Sequence, residues 1–259
     1  MNTSHGNLVE YYNFKTFMLS HLLELRRRTL LVITVFAAFC LLFFFFAPNL
    51  FHQLVSPLLN VLPTQEPLIA TQITTPLLTP IKLAADAALL CTAPFALLQI
   101  WYFASPGLYR RERNSLRWAI VGSMLLFSMG VLFCFYVVLP FMLQFFAHSV
   151  PVGVRLMPDI AYAVDFITRM LLLFGLCFQV PLLCFLLVYF HLITVESLKS
   201  IRPYIIVTAF TIGMLLTPPD VISQIMLAVP LCLLYELGII VAIFVVKVPT
   251  NKSVQSNGM

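Results

Sequence analysis

The sequence predicts an all-α membrane protein with six transmembrane helices. Of its 259 residues, 61% are hydrophobic and 10% are charged, so apolar side chains far exceed what the core of a water-soluble domain of this size needs. Backbone polar groups cannot stay unpaired in hydrocarbon, which leaves helical bundles and closed barrels. The long unbroken apolar runs lack the alternation of barrel strands, so helices are predicted.

Six apolar runs are candidates for membrane spans. They lie at residues 29–47, 83–104, 118–147, 161–190, 204–217 and 221–246. A span needs about 20 residues, so the first four are long enough. Between the last two, Thr217 to Asp220 carries paired prolines, which end a helix, and a carboxylate, which does not remain in lipid. We therefore expect two short closing helices, the first of 14 residues, and a locally thinned bilayer around it.

The distribution of basic residues predicts that both termini are cytoplasmic. Twelve of the 15 Lys and Arg residues flank the spans on one side, and only Lys82, Arg155 and Arg169 lie on the other. The side with the excess is the cytoplasmic one, and an even number of spans returns the C-terminus to it. The basic residues sit between apolar runs, so the net charge of +5 indicates topology and not nucleic-acid binding.

The chain is predicted to form one polytopic membrane domain over residues 1–247. Before the first span, residues 13–28 carry an apolar stripe at helical spacing, which predicts a helix lying on the cytoplasmic surface. Residues 48–80 are rich in Pro and Thr and should form the largest external loop. Residues 248–259 form a short polar tail, predicted to be disordered. No removable signal peptide is recognised, so the mature protein should begin near Met1.

Several kinds of chemistry are missing from the sequence. It has no phosphate-binding loop, HExxH zinc motif or nucleophile elbow. The histidines lack metal-ligand spacing, and all six cysteines fall in apolar runs without CxxC spacing, as expected of packing residues. We therefore predict no catalytic residue, no metal and no cofactor. Any energy-consuming step must be driven by something other than nucleotide hydrolysis in this chain.

Two carboxylates among cytoplasmic arginines are the main candidates for ligand binding. Glu24 is followed by three arginines just before the first span, and Glu112 lies between two arginines in the loop after the second. Pairing of Glu24 with Arg28 at i,i+4 would explain the first without a function, and local ion pairs in a solvated loop would explain the second. Together, however, two carboxylates on one face suit a guanidinium ligand, whose planar fork matches a carboxylate.

The fourth span carries polar residues that could share one face. Asp165 and Arg169 are spaced to pair with each other, and Gln179 returns near the same helical face. Such a stripe faces protein or a water-filled cavity and by default marks a functional path. A structural interhelical hydrogen bond is the alternative for Gln179. Asp86 and Glu236 are further candidates for buried carboxylates, kept neutral by protonation.

An ordered set of motifs points to a known family. They are His21 to Arg28, Ile69 to Thr71 with Thr79 to Lys82, Trp101 to Tyr109 with Arg111 to Arg113, and above all Gly213 to Val221. From about Phe17 to Phe244 the chain resembles TatC, the multispanning subunit of the twin-arginine protein translocase. The resemblance implies a receptor for folded precursor proteins that carry a twin-arginine signal peptide.

The resemblance also assigns residues to this function. It implies that Glu24 and Glu112 form the cytoplasmic patch that takes the two arginines. Other family positions in or near the binding patch map onto Leu25, Arg26 and Phe103. Candidates for contact with partners or for an intramembrane polar face are Pro57 in the external loop, Asp165, Arg169, Gln179 and Asp220.

The family's architecture and partners follow as further expectations. TatC-like proteins present a concave, glove-shaped wall of six helices in the bacterial inner membrane. TatB-like and TatA-like single-span proteins dock to it, several copies assemble in the receptor complex, and the proton-motive force drives transport. Where many relatives carry a glutamate in the fourth span, this chain has Gln179, which keeps its hydrogen-bonding capacity but cannot exchange a proton.

Two other functions remain open at the level of sequence. In a small-molecule secondary transporter, Asp165, Arg169 and Gln179 would line a central site, and internal pseudo-symmetry would be expected. In an assembly factor, the chain would have no transport role. The transporter leaves the two surface glutamates without a task.

Overall fold

The computed structural model describes residues 3–59, 68–104, 113–149, 157–190, 192–217 and 221–247. Their helices are α1 (Thr3–Phe45), α2 (Ala47–Leu59), α3 (Thr75–Ala104), α4 (Arg113–Phe133), α5 (Leu139–His148), α6 (Ile160–Cys177), α7 (Val180–Tyr189), α8 (Val195–Leu216) and α9 (Val221–Lys247). A π-helical turn, Cys134–Val138, joins α4 to α5. Six stretches are long and apolar enough to cross a membrane, so the prediction of an all-α protein with six spans is confirmed.

The chain divides into two compact units. The first is formed by Met1–Leu50 and Pro80–Val121. In it, α1 runs without a break, whereas the sequence predicts a surface helix over residues 13–28 followed by a separate span. The physical reason is that neither Gly nor Pro occurs between Gly6 and Pro48, so nothing ends the helix. None of its apolar part, Leu22–Phe45, is buried in the isolated chain, as expected of side chains that lipid can solvate.

The second unit comprises Phe51–Thr79 and Gly122–Met259. Its core lies where α7 and α8 pack on α9, around the buried residues Cys184, Val188, Leu198, Tyr235 and Ile239. The Tyr235 hydroxyl donates to the Leu198 carbonyl oxygen at 2.8 Å. This hydrogen bond satisfies a buried hydroxyl across the interface between α8 and α9, as a hydrocarbon environment requires.

Proline explains two irregularities in the third and fourth spans. Pro140 has no N–H to donate to the carbonyl of Tyr136, and Tyr136 lies within the π-helical turn. Pro181 likewise cannot bond to Cys177, the residue at which α6 ends; Phe178 and Gln179 form the turn before α7 begins at Val180. Each apolar run predicted as one span is therefore a pair of helical pieces joined at a proline-induced break.

Small residues let α4 and α6 approach closely. A Cβ at Gly130 would lie 2.6 Å from the carbonyl oxygen of Phe174, and one at Gly175 would lie 2.7 Å from the ring of Phe127. Close backbone approach at small residues is how helices associate where lipid removes the hydrophobic driving force. Phe133 packs its ring against Phe174 and Phe178 on either side of this contact.

The segment predicted as an external loop over residues 48–80 contains helical structure. Residues 47–59 form α2, with Val55, Pro57 and Leu58 buried, and α3 begins at Thr75. Pro57 therefore lies in a helix and not in a loop. The remaining described part of the segment is held by an isolated β-bridge between Ile69 and Asp159.

The predicted shortness of the last two helices is wrong. Helix α8 has 22 residues and not 14, and α9 has 27. The helix begins earlier than the apolar run because Thr194 caps it, accepting a hydrogen bond from the Ser197 amide at 3.2 Å. At about 1.5 Å per residue, α8 is about 33 Å long, but its apolar part from Tyr204 onward is only about 20 Å long. The locally thinned bilayer therefore stays a prediction. Helix α8 ends at Leu216 and α9 begins at Val221, one on each side of the paired prolines.

Candidate functional site

Glu24 and Arg28 form an ion pair on α1, as their spacing predicts. Both Nε and Nη2 of Arg28 donate to one carboxylate oxygen, Oε1, with Nε at 3.1 Å. Arg28 Nη1 also donates to the Gln99 side-chain oxygen on α3 at 3.3 Å. The guanidinium therefore links α1 to α3 and fixes the position of the glutamate.

The Glu24 carboxylate keeps binding capacity after this pairing. Its second oxygen, Oε2, accepts no hydrogen bond from the part of the chain that the structure describes. The side chain is 34% exposed, and Leu25 and Arg26 beside it are also exposed. A guanidinium from outside the chain can reach this oxygen, because a carboxylate has lone pairs for more than two donors.

Other residues assigned to the binding patch lie outside the described part of the chain. Glu112 falls in the undescribed segment 105–112. Phe103 lies on the last turn of α3, but its side chain is not described. Asp220 falls in the undescribed segment 218–220. Their predicted roles stay predictions.

The polar residues of the fourth span do not form one stripe. Arg169 Nη2 donates to Asp165 Oδ2 at 3.1 Å, as the spacing predicts, and the Arg169 side chain is 64% exposed. Gln179 lies beyond the break at the end of α6 and is 4% exposed. The regular helix on which the shared face was predicted does not continue to Gln179.

Ser123 satisfies both ends of the Gln179 amide. The Ser123 hydroxyl donates to Gln179 Oε1 at 2.8 Å, and Gln179 Nε2 donates to the Ser123 carbonyl oxygen at 2.9 Å. Ser123 is itself 1% exposed. Of the two roles considered for Gln179, the structure shows the interhelical hydrogen bond, so the amide is not presented to a partner helix.

Sequence reasoning missed an ion pair between the last two spans. Arg202 Nη2 donates to Glu236 Oε2 at 2.7 Å, and both side chains are 43% exposed. The prediction of Glu236 as a buried carboxylate is therefore wrong, because its side chain is partly exposed and pairs with a guanidinium. The signal available in the sequence was an opposite charge at the start of the neighbouring helix.

Asp159 holds the segment before α3 to the start of α6. Its Oδ2 accepts from the backbone amide of Thr71 at 2.9 Å and from its hydroxyl at 2.6 Å. Its Oδ1 caps α6, accepting from the amide of Ala161 at 2.8 Å. These hydrogen bonds, the Thr71 hydroxyl first, lower the pKa of the Asp159 carboxyl below its ordinary range.

The Asp159 clasp should be independent of pH near neutrality and weaken only in acid. A lowered folded-state pKa contributes stability that is present above the unfolded-state value, near 4, and is lost as the pH falls through the folded-state value. Replacing Asp159 by Ala should therefore lower the melting temperature in detergent at pH 7 by several degrees, and this difference should shrink as the pH falls below the unfolded-state value. Thr71→Val, which removes one of the bonds, should have a smaller effect. Equal melting of Asp159→Ala and the unmodified chain at pH 7 would contradict the clasp.

The described residues contain no cluster of three or more His, Cys, Asp or Glu side chains that could hold a metal ion. The six cysteines are free thiols, and Cys134 and Cys184 are buried in helix contacts. The chemistry that these residues offer is recognition by charge and hydrogen bonding.

Comparison with known proteins connects this arrangement to a family. The family model described as Sec-independent protein translocase protein (TatC) matches residues 20–230. The TatC protein of Haemophilus influenzae is 44% identical over 241 residues, covering 93% of this chain and 94% of the relative. The TatC protein of Escherichia coli K12 is 39% identical over 235 residues, covering 91% of each chain.

A solved structure agrees with these relatives. A crystal structure of the twin arginine translocase receptor TatC superposes with a TM-score of 0.79 at 33% identity, covering 87% of this chain and 99% of that one. Sequence similarity and fold similarity therefore extend over the same six-span helical domain. The chain belongs to the TatC family of Sec-independent protein translocase proteins.

Proposed function

We propose that this chain is the receptor subunit of a twin-arginine translocase, with Glu24 and Glu112 receiving the two arginines of a signal peptide. The observation that carries the proposal is the Glu24 carboxylate, which already binds a guanidinium through Oε1 and keeps Oε2 for a second donor. Gln99 holds Arg28 from the other side, so the carboxylate is positioned before a ligand arrives.

Arginine suits this site better than lysine. The guanidinium presents several N–H donors in a plane and remains charged under all physiological conditions, whereas an ammonium is a compact, strongly hydrated point charge. The exposed Leu25 beside Glu24 offers an apolar contact to a hydrophobic residue of the signal. Arg26 and Phe103 are assigned to the same surface.

The proposed membrane is the bacterial inner membrane, with both termini and the Glu24 end of α1 in the cytoplasm. Twelve of the 15 basic residues then lie on the cytoplasmic side, in agreement with the positive-inside rule. The signal of an unexported precursor meets the protein on that side. Export is driven by the proton-motive force, and no catalytic role is assigned to the chain.

Single-span TatA-like and TatB-like proteins are the proposed membrane partners, together with further copies of this chain. The exposed apolar residues along α1, α8 and α9 provide surface for helix packing in lipid. Pro57 and Asp220 are proposed to act in these contacts. Gln179 supports them indirectly, by holding the fourth span to the third through Ser123.

The rival transporter function lacks a site in the residues considered for it. Asp165 and Arg169 pair with each other, with Arg169 facing outward, and Gln179 is buried against Ser123. These three side chains therefore do not line a common polar path. The relatives named as translocase proteins favour protein export.

Deleting the gene for this chain tests the proposal. We expect the deletion to block export of a folded reporter that carries a twin-arginine signal, because the receptor for that signal is gone. A reporter that is exported unfolded through the general pathway should be unaffected, and a copy of the gene supplied in trans should restore export. Continued export of the folded reporter in the deletion strain would reject the proposed function.

A further inference from the structure

Arg28 binds Glu24 with the same chemical group that an arginine of a signal peptide would bring. Two of its guanidinium nitrogens, Nε and Nη2, converge on one carboxylate oxygen, Oε1. Both side chains are only partly exposed, 23% for Arg28 and 34% for Glu24, so water screens the pair incompletely. The chain therefore carries an internal guanidinium at the carboxylate that an external guanidinium must reach.

The position of Arg28 limits the contact that a second guanidinium can make. An arginine pairs best with a carboxylate through two parallel hydrogen bonds, one to each oxygen. With Oε1 occupied by Arg28, an incoming guanidinium is restricted to Oε2, and its charge repels that of Arg28. Pairing of a signal arginine with both oxygens of Glu24 therefore requires Arg28 to leave Oε1.

Gln99 on α3 offers Arg28 an acceptor that does not depend on Glu24. Its side-chain oxygen accepts a hydrogen bond from Arg28 Nη1 at 3.3 Å. This is the nitrogen that does not donate to Glu24, so the bond can persist when Nε and Nη2 release the carboxylate. A partly buried cation is costly to leave without an acceptor. The Gln99 oxygen therefore lowers the cost of moving Arg28 off Glu24.

We propose that Arg28 is an internal competitor of the signal peptide, and that Gln99 retains Arg28 when a signal arginine displaces it from Glu24. The inference rests on the proposed function and describes the regulation of the same site. In the resting chain Arg28 covers Oε1. A signal arginine first meets Oε2 and then takes both oxygens while Arg28 turns toward Gln99.

A competitor built into α1 keeps binding of the signal reversible. The apparent affinity for a ligand falls by the fraction of the chain whose site is competent to bind it, and Arg28 lowers that fraction for a ligand that needs both oxygens. When the signal arginine withdraws, Arg28 is still held beside the site by Gln99 and returns to Oε1. A receptor that serves many precursors in turn requires such release.

Peptide binding to the full chain in nanodiscs tests the competition. A twin-arginine peptide and a matching twin-lysine peptide are titrated against the unmodified chain and Arg28→Gln. We expect Arg28→Gln to bind the arginine peptide about fivefold more tightly, the effect of a partly exposed ion pair worth about 1 kcal/mol. The lysine peptide should gain less than about twofold, because an ammonium is a point charge that can bind Oε2 and leave Arg28 in place.

Two variants separate competition from a general effect of charge. Arg27→Gln removes an exposed neighbouring arginine, so it should strengthen binding of both peptides equally and by less than about twofold. Arg28→Lys keeps the charge but holds the carboxylate without the planar fork. It should give a gain for the arginine peptide between that of Arg28→Gln and none, and it preserves a test if Arg28→Gln does not fold.

Gln99→Leu tests the acceptor. The displaced Arg28 then loses the oxygen that retains it, so the arginine peptide should bind roughly threefold more weakly. In the Arg28→Gln background the same change should have no effect, because no guanidinium has to be retained. Equal effects of Gln99→Leu in the two backgrounds would overturn the role of Gln99.

Failure of this inference differs from failure of the proposed function. If Glu24→Gln weakens binding of the arginine peptide while Arg28→Gln leaves it unchanged, or strengthens both peptides equally, the competition is overturned and the proposed function stands. If the arginine peptide does not bind the unmodified chain, or binds it independently of Glu24, the proposed function fails and the inference falls with it.

Discussion

Replacing Glu24 by Gln is expected to weaken binding of a twin-arginine signal peptide by about tenfold. The amide keeps one oxygen acceptor but loses the charge, and a hydrogen bond to a charged group contributes about 1.5–3 kcal/mol; partial exposure of Glu24 places the effect at the low end of this range. Glu112→Gln is expected to act in the same direction, and the double variant should abolish detectable binding. The measurement is crosslinking of a precursor to the membrane-embedded chain, together with export of the precursor.

The matched controls for this prediction lie on the same chain. Glu196→Gln removes an exposed glutamate in the first turn of α8 and should not alter crosslinking. Arg28→Gln removes the internal guanidinium that occupies Glu24 Oε1, so binding should be retained or strengthened. If Arg28→Gln abolished binding while Glu24→Gln had no effect, Arg28 and not Glu24 would be the recognition group.

Replacing Gly130 by Ala is expected to give the largest loss of stability from adding a single methyl group. The new Cβ would lie 2.6 Å from the backbone carbonyl oxygen of Phe174 and 2.9 Å from Phe178, so α4 and α6 would have to separate. Overpacking of this kind costs about 1–3 kcal/mol, and the backbone obstacle places Gly130→Ala near the upper end. Thermal unfolding in detergent measures the effect.

Two other glycines calibrate this prediction. At Gly122, on the same helix, no atom lies within 4 Å of the position that a Cβ would take, so Gly122→Ala should be neutral or stabilising by up to about 1 kcal/mol. At Gly175 the obstacle is the Phe127 ring, a side chain that can turn aside, so Gly175→Ala should fall between the two. Equal stability of the Gly130 and Gly122 variants would show that the close contact of α4 with α6 does not support the fold.

The six spans could be predicted because length and apolar content alone decide whether a helix can cross a bilayer. The limits of the spans could not be predicted in this way. Helix α8 starts at Val195 because Thr194 caps it, while hydropathy places the start of the span at Tyr204. Pro140 and Pro181 are visible in the sequence, but both lie inside long apolar runs. Hydropathy therefore predicts one continuous span in each case, although each proline removes a helical hydrogen bond.

The candidate site was predictable only where its contacts are local. Glu24 and Arg28 pair at i,i+4, and so do Asp165 and Arg169. Ser123 and Gln179 are 56 residues apart in the sequence, and Arg202 and Glu236 are 34 residues apart. These pairs form because their spans are neighbours in the fold, and hydropathy does not show which spans are neighbours. A polar stripe drawn on an ideal helix fails at Gln179, because the helix stops at Cys177.

The most direct test of the central claim is the affinity of a synthetic signal peptide for the purified chain in nanodiscs. The account predicts that a twin-arginine peptide binds, that a twin-lysine peptide binds at least tenfold more weakly, and that Glu24→Gln removes most of this preference because the carboxylate no longer pairs with a guanidinium. A Glu24→Gln chain that still bound the twin-arginine peptide with full affinity and full preference over lysine would contradict it.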